Sequence, residues 1–170
     1  MSLDLSIIYY VLNDIFTPGL AILIQDYTFE SISNENIKIA VKKYNHILTR
    51  ADCRFGPISF WDTSQVTNMS YLFSNMKFFK KSINRWNTSN VTDMSYMFYG
   101  AKSFNQPLDL WDTSKVIDMS YMFFGTHSFN QPLNSWNTSN VINMKYMFVD
   151  AYVFNQPLNL WNISQVIDTS

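Results

Sequence analysis

Hydrophobic and polar positions follow two different periods along this chain, and the change falls near residue 55. Before it, Ile37, Ala40, Val41, Tyr44, Ile47 and Leu48 recur at the three- and four-residue spacing of one helix face, with Ser33 placed as the N-cap. Residues 3–16 and 18–27 read as two further helices, Pro18 suiting a first helical turn. Beyond residue 55 the period becomes 25: Trp61, Trp86, Trp111, Trp136 and Trp161 are evenly spaced, and they are all the tryptophans in the chain. A fixed period of about 20–50 residues marks a stack in which each unit buries its apolar face against its neighbours.

Aligned on tryptophan, the repeats resolve into columns. Trp is followed by Asp or Asn, by Thr (Ile163 departs), and by Ser in every copy; Val66, Val91, Val116, Val141 and Val166 come next. Asn68, Asp93, Asp118, Asn143 and Asp168 then offer the side-chain oxygen of a helix N-cap, and behind them Met94, Met97, Phe98 and Ala101 lie at helical spacing. Seven residues past the cap stand Asn75, Gly100, Gly125 and Asp150, types that tolerate the left-handed backbone closing a helix. The other half of the unit, with Phe129, Leu133 and Trp136, reads as extended. Pro107, Pro132 and Pro157 there cannot donate to a ladder, so a strand has to begin after them. The expected fold is an α/β repeat solenoid, leucine-rich-repeat-like, with a short strand and a short helix in each 25-residue coil. Residues 1–55 form its helical N-terminal cap and residues 56–170 about four and a half coils. The motif breaks off mid-repeat at Ser170, with Thr169 in a methionine column, which leaves the C-terminal coil without a visible cap: either a partner covers it or the full array continued.

The words "WDTSQVTNMSYLF" and "WNTSNVTDMSYMFYGAKSFNQPL", with their copies, resemble the BspA-like leucine-rich-repeat family of bacterial surface proteins. They are most similar to its tryptophan-containing branch of unknown function, found in mycoplasma surface lipoproteins and in giant DNA viruses. The resemblance covers residues 37–170 and rests on Trp, Ser, Val, Met and Phe recurring together at fixed spacing. It implies a repeat module used for adhesion or protein–protein contact, and it carries over no catalytic residue.

Composition narrows the function further. Aromatic residues make up 17% and charged residues 15% of the chain, and the net charge of −1 gives no long-range attraction to phosphate backbones, so nucleic acid is not the expected partner. The opening "MSLDLSIIYY" has no basic residue before its apolar run, and no lipid-attachment cysteine follows it. This points to an intracellular or virion setting rather than a secreted one. The apolar stretch of residues 5–24 is interrupted by Asn13, Asp14, Thr17, Pro18 and Gly19, so no membrane span is expected. Cys53, the single cysteine, excludes an internal disulfide, and the two histidines, His46 and His127, are far apart in sequence. No phosphate loop or metal-ligand spacing occurs. Stacked Asp columns are a possible cation site, but Asn is interleaved with Asp, and capping and turn duty accounts for both. Cofactors, metals and catalytic residues are therefore expected to be none.

The chemistry that remains is aromatic. Tyr71, Tyr96, Tyr121 and Tyr146 lie off the Met/Phe face, with Tyr99 and Phe124 three residues on from two of them. Such a ribbon is a candidate partner-binding surface; a self-stacking ladder that only stabilises the array is the competing reading. Val166 and Ile167, on the uncapped coil, are the second candidate, for a protein partner or for self-association through residues 158–170. The expected function is a non-catalytic, adhesion-like protein–protein interaction module. The alternative is a structural component of a larger assembly, such as a viral particle, docking through that C-terminal coil.

Overall fold

The computed structural model describes residues 31–46, 55 and 57–168, all within one compact unit, Ser31–Ser170. The helices expected in residues 3–27, together with Ile47, Leu48, Cys53, Thr169 and Ser170, lie outside the described residues.

The amphipathic pattern before the repeats forms helix α1, Ile37–His46. Its start is fixed by reciprocal capping: Ser33 Oγ accepts the Glu35 N–H at 3.3 Å and Asn36 Oδ1 accepts the Ser33 N–H at 2.9 Å. Ile37, Ala40 and Val41 are buried and Tyr44 is partly so, which is the stripe the spacing predicts. This stripe packs on the first repeat. Tyr44 meets Trp61 edge-on at 6.1 Å between ring centroids. Asn34 Oδ1 accepts the N–H groups of Thr67 and Asn68 at 2.9 and 3.1 Å, and Lys38 Nζ donates to Ser70 Oγ at 3.3 Å.

The repeats stack, but they are not built as the pattern predicts. Among the described residues, α1 is the single α-helix, accompanied by one 3-10 turn at Ile58–Phe60. Among the described residues the repeats contain no α-helix and no strand, so the expected α/β solenoid with a strand and a helix per coil is corrected to a stack built of turns. Among the described residues the strand-like pairing is a row of isolated parallel bridges, Asn68–Asp93, Asp93–Asp118, Asp118–Asn143 and Asn143–Asp168.

The reason lies in the tyrosines. Tyr71, Tyr96, Tyr121 and Tyr146 all have positive φ, between 54° and 61°. A left-handed residue three positions past the Asx column aims alternate N–H groups out of the turn, so a 3.6-residue helix cannot propagate. Met69, Tyr71, Phe73 and Asn75 donate to the carbonyls of Asp93, Ser95, Met97 and Tyr99 in the next repeat, at 2.6–3.0 Å. The residues between them close local turns instead: Leu72, Ser74 and Met76 donate to Met69, Tyr71 and Phe73. The same alternation recurs from Met94 and from Met119. The Asx column caps these turns rather than a helix, Asn68, Asp93 and Asp118 each accepting the N–H two residues on. The left-handed backbone expected at Asn75, Gly100, Gly125 and Asp150 is present, with φ of 58–66°.

The core between these turns is a set of aromatic layers. Each holds two phenylalanines and a tryptophan: Phe73, Phe79 and Trp86; Phe98, Phe104 and Trp111; Phe123, Phe129 and Trp136; Phe148, Phe154 and Trp161. Successive layers stack nearly parallel, the Phe73, Phe98, Phe123 and Phe148 rings being 5.4–5.6 Å apart. Each indole is also tied to the layer before it, Trp86, Trp111, Trp136 and Trp161 donating from Nε1 to the carbonyls of Ile58, Ile83, Leu108 and Leu133. Thr63, Thr88, Thr113 and Thr138 are buried and donate their hydroxyls forward to Asn87, Asp112, Asn137 and Asn162. Among the described residues no buried side-chain nitrogen or oxygen lacks a partner.

Candidate interaction surface

The left-handed tyrosines carry their rings to the outside of the stack. Tyr71 is 54% exposed, while Tyr96, Tyr121 and Tyr146 are half-buried. Tyr71, Tyr96 and Tyr121 stack with centroids 4.5 and 4.4 Å apart; Tyr146 meets Tyr121 edge-on at 5.1 Å. Tyr99 and Phe124 form a second column, stacked at 5.0 Å and joined to the first at 5.7 and 5.9 Å. The six candidates on this side thus form one continuous aromatic ribbon, and Lys145 Nζ lies 5.1 Å from the Tyr146 ring centre. The Tyr96 phenol is held above its usual range, first by burial and then by its neighbours Tyr121 and Tyr71, so the Tyr96 ring stays neutral at physiological pH.

The second pair of candidates is separated by the structure. Val166 is half-buried and packs on the core, whereas Ile167 is 85% exposed, its N–H donating to the Ile142 carbonyl at 2.9 Å. Neither lines the apolar cavity of about 540 Å³ on the outer face of the fourth layer. That cavity is lined by Met144, Tyr146, Met147, Phe148, Val149, Leu158, Trp161 and Ile163. Most of this lining was legible in principle, because Met144, Met147, Phe148, Leu158 and Trp161 occupy columns that are buried in the earlier repeats.

Among the described residues no three His, Cys, Asp or Glu side chains approach one another as metal ligands would. The His127 ring lies against Tyr152 at 4.8 Å. Asp93 and Asp118 neighbour each other in their column, but the amides of Asn68 and Asn143 donate to their outer oxygens at 3.1 Å, and Ser95 and Ser120 N–H groups engage the others. Asp112 Oδ1 accepts the Ser114 N–H, and bonding to Ser114 holds that carboxyl below the usual range. No described helix is long and apolar enough to cross a membrane.

Stacked 25-residue units with ring columns through the core and side-chain bonds from each unit to the next define a tandem-repeat protein. The chain belongs to the family described as Mycoplasma protein of unknown function, DUF285, which matches residues 42–123 and again 80–170. This supports the resemblance to the BspA-like repeats in its broad form. Neither a curated protein nor a solved structure matches the chain.

Proposed function

We propose that the chain is a non-catalytic repeat module that binds another protein through its aromatic ribbon, in the manner of an adhesin. The observation that supports this most directly is the continuity of Tyr71, Tyr96, Tyr121, Tyr146, Tyr99 and Phe124 at ring spacings of 4.4–5.9 Å on a partly exposed side. Tyrosine gives large contact area with few torsions to immobilise, and rings already stacked have little freedom left to lose on binding. Membership of the tryptophan-containing branch found on mycoplasma surfaces and in giant viruses belongs to the same reading.

The test is capture of a partner from the native source by the full chain and by a Tyr71→Ser, Tyr99→Ser, Phe124→Ser variant with unchanged near-ultraviolet circular dichroism. Loss of the partner in the variant is expected. Equal capture by both would exclude the ribbon as the contact. Collapse of the variant's fold would make the ribbon a stabilising ladder.

A second reading is a structural component of a larger assembly that docks through the outer face of the fourth layer. It is favoured by one observation, the apolar cavity among Met144, Met147, Phe148, Leu158 and Trp161.

A further inference from the structure

Charge breaks the repeat pattern at one place, the first aromatic layer. Between Asp62 and Asp93 the chain carries no acidic residue, and Lys77, Lys80, Lys81 and Arg85 fall close together within that stretch. The net charge of −1 therefore hides a polarised chain, because beyond residue 103 two lysines stand against five aspartates. Phe79, Ile83 and Trp86 turn inward and are buried, which leaves the four cations on the outside together with Phe78, 86% exposed. Among the described residues no hydrogen bond or ion pair engages the charged ends of these four side chains. Lys102 adds to them: the Ser103 N–H donates to the Lys77 carbonyl at 3.1 Å, which sets the two lysines side by side in adjacent repeats.

The later repeats show what the first one lacks. Their Asn105, Asn130 and Asn155 stand in the Lys80 column, and Gln106, Gln131 and Gln156 in the Lys81 column. Asn105 and Asn130 each accept the N–H and the glutamine amide of the repeat that follows, at 2.9 and 3.0 Å. Lys80 has no side-chain oxygen to offer Asn105, so this amide ladder cannot begin at the first repeat. Phe78 takes the place held by Ser103 and Ser128, and Arg85 that of Leu110. Hydrogen bonds between repeats are forgone for charge, and a serine for a ring in water.

Cations around a projecting ring suit an occupant that is both anionic and yielding. Lysine and arginine stems lie along apolar material while their heads stay among anions and water. A ring with almost nothing around it is buried only by something that closes over it. An acidic peptide pairs the charges without enclosing the ring, whereas the headgroup layer of an anionic bilayer does both. We propose that the outer edge of the first layer, formed by Lys77, Phe78, Lys80, Lys81, Arg85 and Lys102, is a peripheral binding site for an anionic phospholipid surface. The cations sit against the headgroups and Phe78 enters the boundary with the acyl chains. This goes beyond the aromatic-ribbon reading and does not depend on it.

Sedimentation of the full chain with vesicles of phosphatidylserine in phosphatidylcholine tests the site, with phosphatidylcholine alone as the reference. The chain should bind the first and not the second, and binding should weaken as salt is raised. The informative variants restore the repeat's own residues. Lys80→Asn with Lys81→Gln should weaken binding about fivefold for each cation removed. Phe78→Ser should weaken it without changing the salt dependence, and Tyr99→Ser with Phe124→Ser, in the ribbon, should leave it as it was. Near-ultraviolet circular dichroism checks each fold; if the lysine pair disturbs it, Arg85→Leu replaces that pair with the same fivefold expectation.

Equal binding to both vesicles, or none to either, would overturn the proposal. So would binding that survives loss of the cations, or that ignores Phe78→Ser. Preference for polyglutamate over the vesicles would also overturn it, making the edge a contact for an acidic protein, as would preference for duplex RNA.

Discussion

Single residues in this stack are set by the backbone as much as by packing. Gly100 and Gly125 both have positive φ, near +64° and +66°, so a side chain at either costs about 1–2 kcal/mol from the left-handed conformation alone. They differ in surroundings: a Cβ on Gly100 would sit 2.7 Å from Asn75 Oδ1, while one on Gly125 meets only the Gly100 backbone at 3.7 Å. Gly125→Ala is therefore expected to destabilise by about 1–2 kcal/mol. Gly100→Ala should cost more, with the excess removed by a second change, Asn75→Gly; urea melts of the three variants check this. Tyr96 supplies a pH dependence. Its folded-state pKa is raised, so the neutral ring contributes stability fully below the unfolded value of about 10, and that contribution is lost as pH rises through the folded one. Melting temperature should fall above about pH 10, less steeply in Tyr96→Phe, and phenolate absorbance should show one tyrosine titrating late.

At the scale of the repeat, the unit of cohesion is the aromatic layer. Trp111 is 4% exposed, between two layers, whereas Trp161 is half-buried beside the open cavity. Trp111→Ala should cost about 3–5 kcal/mol, the range for emptying a packed aromatic site. Trp161→Ala should cost clearly less, measured by the same denaturant titration; equal losses would contradict layer-by-layer stacking. Much of this element was legible. The tryptophan spacing located the layers, the Asn and Gly column located the left-handed turn ends, and the three- and four-residue spacing located α1. What misled the reading was Tyr71 and its copies. An aromatic residue at positive φ is rare, so "NMSYLF" and "DMSYMF" read as capped helix starts. Met94, Met97, Phe98 and Ala101 do share a buried face, but turns put them there, and alternate N–H groups leave for the next repeat. The ribbon's residues were legible from the column; their direct stacking depended on that unforeseen backbone.

Across the whole stack, cohesion comes from neighbours and from very little else. The side-chain bonds between repeats span 24 to 28 positions, as in Thr63 to Asn87 or Trp86 to Ile58. Contacts of such uniform, modest separation favour folding that starts in one place and spreads. Polar ladders follow the same rule on the surface: Asn105 Oδ1 receives the Asn130 N–H and the Gln131 amide, and Asn130 Oδ1 receives those of Asn155 and Gln156. The ion pair of Lys145 with Asp168, at 3.1 Å, joins two successive repeats at a partly exposed position.

That uniform spacing makes the chain's length negotiable in heredity. Excising residues 111–135 would join Leu110 to Trp136, which is how Leu110 already joins Trp111, and the backbone donors and acceptors across the seam would find equivalent partners. The shortened chain should fold, with one layer fewer and a lower melting temperature. Taking out one residue less or more should instead leave an insoluble product, because rings, amides and carbonyls fall out of step along all later repeats. A gene encoding such words can lengthen or shorten by misaligned recombination between its own copies, and the protein tolerates the error only in whole periods.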